Sequence, residues 1–243
     1  MSYKFKNYSG KHKFTGEFDY DGETYEYSLY LPDFDPSLRT EIVDYFGTRM
    51  QNGKNCLDLD KKGVEEYIDN GTLSAYMVIN KKGGDEKASG TIQIYDWCSG
   101  NKKQLLDNAY VWINDLCRIS GSSGVKTKSV NALFYFMEQL TVQNLGKTDI
   151  YLFVDANEAD NKLGLMRLYS SKYGFVDNSE TTPSVCQHNG TGLNFITMKK
   201  SGLVSDESNL DFNFLRKKSP GGGSKSKRSK KRKVRKSKKI RRN

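Results

Sequence analysis

Apolar and polar positions change period several times along the chain, and each change predicts an element. The run "YEYSLYL" (25–31) alternates, as a strand with one buried face does. In "LPDFDPSLRTEIVDYFGTRM" the residues Leu38, Ile42, Val43 and Phe46 fall on one face of a helix that follows a Pro-bounded turn. "DKKGVEEYIDNG" predicts a second helix, stopped by Gly71. Two β-rich runs then flank a Lys-Lys-Gly-Gly-Asp centre over 73–97, a hairpin signal.

"NAYVWIND" (108–115) predicts another strand. Val130, Leu133, Phe134, Met137 and Leu140 follow at helical spacing, an amphipathic helix. "DIYLFV" (149–154) holds five consecutive apolar residues, as a strand covered on both faces does. A helix over 160–172 precedes "YGFV", and "LNFITMK" (193–199) supplies a last strand. The order predicts one α/β domain with a mixed sheet over 21–215. Residues 1–20, with Tyr3, Phe5 and Phe14 scattered among lysines, read as a loosely attached polar leader.

Charge changes the picture at the end of the 243-residue chain. Residues 216–243 hold 16 Lys and Arg and no acid. Of the chain's 39 basic residues, 23 then remain in residues 1–215 against 29 acids, so a body near −6 carries a tail near +16. "SPGGGSKS" (219–226) reads as a flexible linker, and the Lys/Arg run after it has no means of building a core, so 216–243 is expected to be a disordered polybasic tail. "KKRKV" (230–234) resembles a nuclear-import signal, and sixteen charges also bind nucleic acid non-specifically by releasing counterions. The tail lacks aromatic residues for base stacking and a hydrophobic face for a membrane. Cys56, Cys98, Cys117 and Cys186 stand far apart, without C-x-x-C or metal-ligand spacing, and read as free thiols with no metal site. No signal-peptide pattern or membrane-length apolar run occurs. The expectation is a protein of the nucleus or cytoplasm of a host cell, or one packaged in a virion, and not secreted.

Candidate chemistry centres on "RISGSSGVKTKSV" (118–130). A loop of small residues opening a helix presents unpaired amides and the positive end of the helix dipole to an anion. Such a loop equally serves as a plain turn, with Thr127 or Ser129 as N-cap. No Walker lysine and no Rossmann glycine pattern follows, which argues against a nucleoside triphosphate. Cys117 beside the loop invites a nucleophile reading, but His12 and His188 are not placed near it by the sequence.

The stretch 110–175 resembles the GNAT superfamily of N-acetyltransferases. The resemblance runs through Leu116 at a strand end, Gly124-Val125 in the loop, Leu152-Phe153-Val154, Asn157 or Asn161, Leu168-Tyr169 and Gly174-Phe175. It implies a fold in which two neighbouring parallel strands splay apart around acetyl-CoA, the acyl donor. Carried over, Leu116, Cys117 and Arg118 would pair with pantetheine. Ser122, Ser123, Gly124, Val125, Lys126 and Thr127 would hold the diphosphate, with Asn157 or Asn161 nearby. Tyr169 matches the family's usual acid. For the base, the residues offer Asp115 or Asp96. The acceptor would be a primary amine, such as one on a protein, with nucleic acid or an import receptor engaged by 225–242. Gly121 and Lys126 depart from the loop pattern and keep a second reading open, a catalytically silent module that binds nucleic acid or a partner.

Overall fold

The computed structural model describes residues 5–7, 9–31, 36–48, 61–69, 74–84, 86–95, 110–119, 128–155, 159–178 and 195–216. The opening pair of strands, β1 (Lys13–Tyr20) and β2 (Glu23–Tyr30), forms an antiparallel hairpin in full register. The expected loose leader is thereby corrected: Phe5, Phe14 and Phe18 are buried in the main core. The pattern was hidden by one residue. The inward face of β1 reads Phe14, Gly16, Phe18, and a Cβ on Gly16 would lie 2.6 Å from the Tyr27 hydroxyl, so the apolar alternation breaks to admit a neighbouring ring.

Two helices follow, α1 (Pro36–Thr48) and α2 (Lys61–Asp69), then β3 (Ser74–Lys81), β4 (Lys87–Tyr95) and β5 (Tyr110–Ile119). After α3 (Lys128–Gln139) come β6 (Ile150–Asp155), α4 (Ala159–Tyr173), β7 (Val176–Asp177) and β8 (Phe195–Lys200). The eight strands make one sheet in the order β1-β2-β3-β4-β5-β6-β8-β7. The β5–β6 contact is its one parallel pairing among the described strands; all other neighbours run antiparallel. This is the mixed α/β sheet that the residue pattern predicts.

Strand alternation then decides which face each helix covers. Tyr25, Tyr27 and Leu29 of β2, Ala75, Met77 and Ile79 of β3, and Ile150, Leu152 and Val154 of β6 point into one large core, where α3 supplies Leu133, Phe134, Phe136 and Met137. On the opposite face Ile42 and Val43 of α1 and Val64 of α2 pack on Tyr30, Tyr76 and Val78. Each fully buried Leu, Ile or Phe contributes roughly 1.5–3 kcal/mol of transfer free energy.

A feature without an apolar signature closes the main core. α3 continues into a π-helix, Leu140–Leu145, that ends at Gly146 in the left-handed conformation. Its buried amides bind passing backbone. Asn144 accepts from the Lys6 N–H (2.9 Å) and donates to the Lys6 carbonyl (2.8 Å). Gln143 donates to the Leu210 carbonyl (2.7 Å) and accepts from the Phe212 N–H (3.0 Å). The Ser9 N–H in turn donates to the Leu215 carbonyl (3.0 Å). Both ends of the described chain are therefore held on the helix by side-chain amides. Replacing Gln143 by Leu orphans a buried N–H and a buried carbonyl, and the expected loss is about 3 kcal/mol in urea unfolding; a loss below about 1 kcal/mol would show that the clamp contributes little.

Candidate active site

The parallel pair in the middle of the sheet is incomplete. β5 runs beside β4 over its whole length, from Tyr95↔Tyr110 to Lys87↔Ile119. Against β6 it has only two register pairs, Trp112↔Tyr151 and Ile113↔Leu152. β6 meanwhile stays paired with β8 from Ile150↔Lys200 to Asp155↔Phe195. Beyond Ile113 the two central strands thus follow different neighbours, and a gap opens between them towards their C-terminal ends.

A bulge lies at the point of divergence. Thr91 and Ile92 are consecutive on β4, but their partners Asp115 and Ile113 are two residues apart on β5, so Asn114 is the inserted residue. A bulge increases local twist and bends its strand, which carries β5 away with β4. The sequence signal was present: Val111, Ile113 and Leu116 all meet the main core, and the step of three between the last two breaks the period of two. Below the gap the joint is held by aromatic rings. Trp112 stacks on Phe153 with centroids 4.2 Å apart and planes within 8°, and Tyr151 packs against both Trp112 and Tyr110.

The gap collects part of the expected constellation. Leu116 is half-buried against the main core, and Leu116, Cys117 and Arg118 lie on the stretch of β5 past the bulge, in register with Gly90, Ser89 and Ala88. Asp115 sits at the bulge; its side chain lies outside the described residues. Asp96, Ser122, Ser123, Gly124, Val125, Lys126, Thr127 and Asn157 also lie outside them, as do the side chain of Asn161, the linker and the polybasic tail from Lys217 on. The backbone of Asp115 to Ile119 thus forms one wall of the gap.

Tyr169 is on α4, half-buried against the same core cluster as Leu116. Its ring stands edge-on to Phe134 (6.2 Å) and Phe175 (6.3 Å). Burial pushes its phenol up from the ordinary value, because the phenolate would lose its hydration. The hydroxyl has no hydrogen-bond partner among the described residues. The helix stops just beyond it: the Gly174 N–H donates to the Ser170 carbonyl and the Phe175 N–H to the Tyr169 carbonyl, with Gly174 at φ 74°. At the front of α3, the N–H of buried Ser129 is capped by Glu86, a residue that no sequence pattern singles out.

Elsewhere, a cleft of about 570 Å³ is lined by Met166, Arg167, Ser170 and Ser171 of α4 with Asp177 and Met198 of β7 and β8, and includes no residue of β5. Among the described residues no cluster of three His, Cys, Asp or Glu is arranged to hold a metal, and no helix is long and apolar enough to cross a membrane.

No protein-family model and no curated protein sequence matches the chain. Solved structures do. An acetyltransferase of the GNAT family from Streptococcus pneumoniae is 14% identical, covering 71% of this chain and 99% of its own, at a TM-score of 0.34. Arabidopsis thaliana NAA60, solved with a bisubstrate analogue, is 12% identical over 71% of this chain and 97% of its own, at 0.40. An acyl-CoA N-acyltransferase from Pseudomonas aeruginosa is 13% identical over 73% and 99%, at 0.39. Likeness of that size identifies neither activity nor substrate.

The burial of Tyr169 has a sign that can be measured. Its neutral form is favoured in the folded chain, so the difference in phenolate absorbance between the wild type and Tyr169→Phe should rise only above pH ~10. A midpoint at or below that value would place the hydroxyl in water.

Proposed function

We propose that this chain is an acyltransferase that moves an acetyl group from acetyl-CoA to a primary amine. The observation that carries the reading is the divergence of β5 from β6 after two register pairs, at a bulge, in the middle of an otherwise continuous sheet. Backbone N–H and C=O groups along such a gap need partners. An extended, amide-bearing molecule can supply them, and pantetheine is one. The coenzyme's diphosphate would then meet the loop 122–127 and the front of α3, where orphan amides and the helix dipole favour an anion.

The chemistry follows from that placement. A neutral amine attacks the thioester carbonyl; a C–N bond forms, the C–S bond breaks, and the amine's proton leaves to Asp115 or to water. Tyr169, with a phenol raised by burial, stays protonated at working pH. It is better suited to donating a hydrogen bond to the departing sulfur than to full proton transfer, because a thiol of pKa ~8.5 holds its proton less tightly than a phenol above ~10. Asn157 or Asn161, which follow β6 in the chain, would border the donor. The tail would carry the enzyme to the nucleus or to nucleic acid, and with it to an amine on a protein bound there; its binding to DNA should weaken steeply with salt.

Calorimetry on the full chain tests the reading. Micromolar binding of acetyl-CoA, reduced at least tenfold by Gly124→Trp, is the expected result. No binding up to millimolar donor would contradict it and favour a silent module.

A further inference from the structure

The first turn of α3 already contains an anion, and it comes from another part of the chain. Ser129, fully buried, donates its backbone N–H to Glu86 Oε1 at 3.2 Å and its hydroxyl to the Glu86 carbonyl oxygen at 3.3 Å. Glu86 immediately precedes Lys87, which is in register with Ile119, the last residue of β5. The carboxylate therefore stands at the start of α3, level with the end of β5 at which the gap opens. It takes one of the roughly four orphan amides that a helix offers at its front.

The surroundings are acidic as well. Lys128, the first residue of α3, is drawn towards Asp21 Oδ2 (3.9 Å) and Glu23 Oε1 (3.7 Å) on the β1–β2 hairpin. Glu23 is also bound by Lys81 at 2.9 Å. Beneath them the Tyr25 hydroxyl is fully buried and finds no hydrogen-bond partner, in the field of Glu86, Glu23 and Asp21. A buried hydroxyl left unmatched among three carboxylates at this end of the sheet adds to the negative field that the first turn of α3 meets.

We propose that Glu86 is a specificity residue for the donor: its charge, fixed in the first turn of α3, weakens the binding of phosphate-bearing donors relative to phosphate-free ones. The inference rests on the donor site proposed above. A diphosphate at the start of α3 must approach this carboxylate in a partly dry setting, where like charges repel more strongly than in water. The helix dipole acts against that repulsion, and the balance sets donor affinity. Glu86 is a positioning and discriminating group here, not a catalytic one.

Glu86→Gln keeps an oxygen acceptor for the Ser129 amide and removes the charge. In full-length protein at low salt it should bind acetyl-CoA about tenfold more tightly. The gain should shrink as salt rises, while affinity for S-acetylpantetheine, which bears no phosphate, changes less than about twofold. Asp21→Asn gives a second reading that keeps the Glu86–Ser129 contact and frees Lys128 of one partner, since Asp21 lies at φ 51° and Asn tolerates that conformation; it should tighten acetyl-CoA by about threefold. Unchanged acetyl-CoA affinity in both variants, or equal gains for both donors, would overturn the role of Glu86 and leave the donor site standing. Failure of wild type and variants alike to bind either donor would overturn the site and this inference together.

Discussion

A sheet cannot keep both edges of a strand satisfied when that strand bends away from one neighbour. β5 bends with β4 at the Asn114 bulge, β6 stays with β8, and the backbone between them is left to other partners. A buried N–H or C=O without a partner costs on the order of 1–3 kcal/mol, so a gap of this kind persists only if water or a ligand enters it. It also persists only if something else holds the sheet together. Here that is the main core, which runs under both halves: residues of β1 to β5 and of β6 and β8 belong to one contiguous cluster beneath α3. On the other face the Trp112–Phe153 stack fixes the base of the gap. The opening is a designed separation between two well-anchored half-sheets.

The same economy appears at the ends of the chain. The π-helix after α3 exposes Gln143 and Asn144 to the interior, where they act as backbone mimics for residues 6, 210 and 212. Phe14 meets Phe214 nearby at 5.2 Å. This roots the polybasic tail beside the start of β1, at the opposite end of the strands from Glu86 and Ile119. The donor's expected mouth and the root of the tail are thus separated by the length of a strand.

Most of the architecture was legible in the residues. The period-two run at 25–31, the apolar block at 150–154 and the helical face from Val130 to Leu140 each became the expected element. β1 was not, because Gly16 interrupts its inward face and lysines surround its phenylalanines. Nor was the π-helix, since "TVQNL" gives no apolar period and its polar side chains are buried for hydrogen bonding. The gap itself was legible in principle through the skipped step between Ile113 and Leu116. Glu86 left no trace: a single acid after a Gly-Gly-Asp turn looks like any solvated hairpin residue, and its role depends on a helix that begins 42 positions later.

Hydrogen exchange along β5, read with and without acetyl-CoA, tests the central claim most directly. If the gap is real and holds an amide-bearing donor, amides of 114–119 that face β4 exchange slowly throughout. Those that face β6 exchange fast in the free protein and slow when acetyl-CoA is added. Uniformly slow exchange across 114–119 in the free protein would mean that the strands are closed on each other, and the account would be wrong.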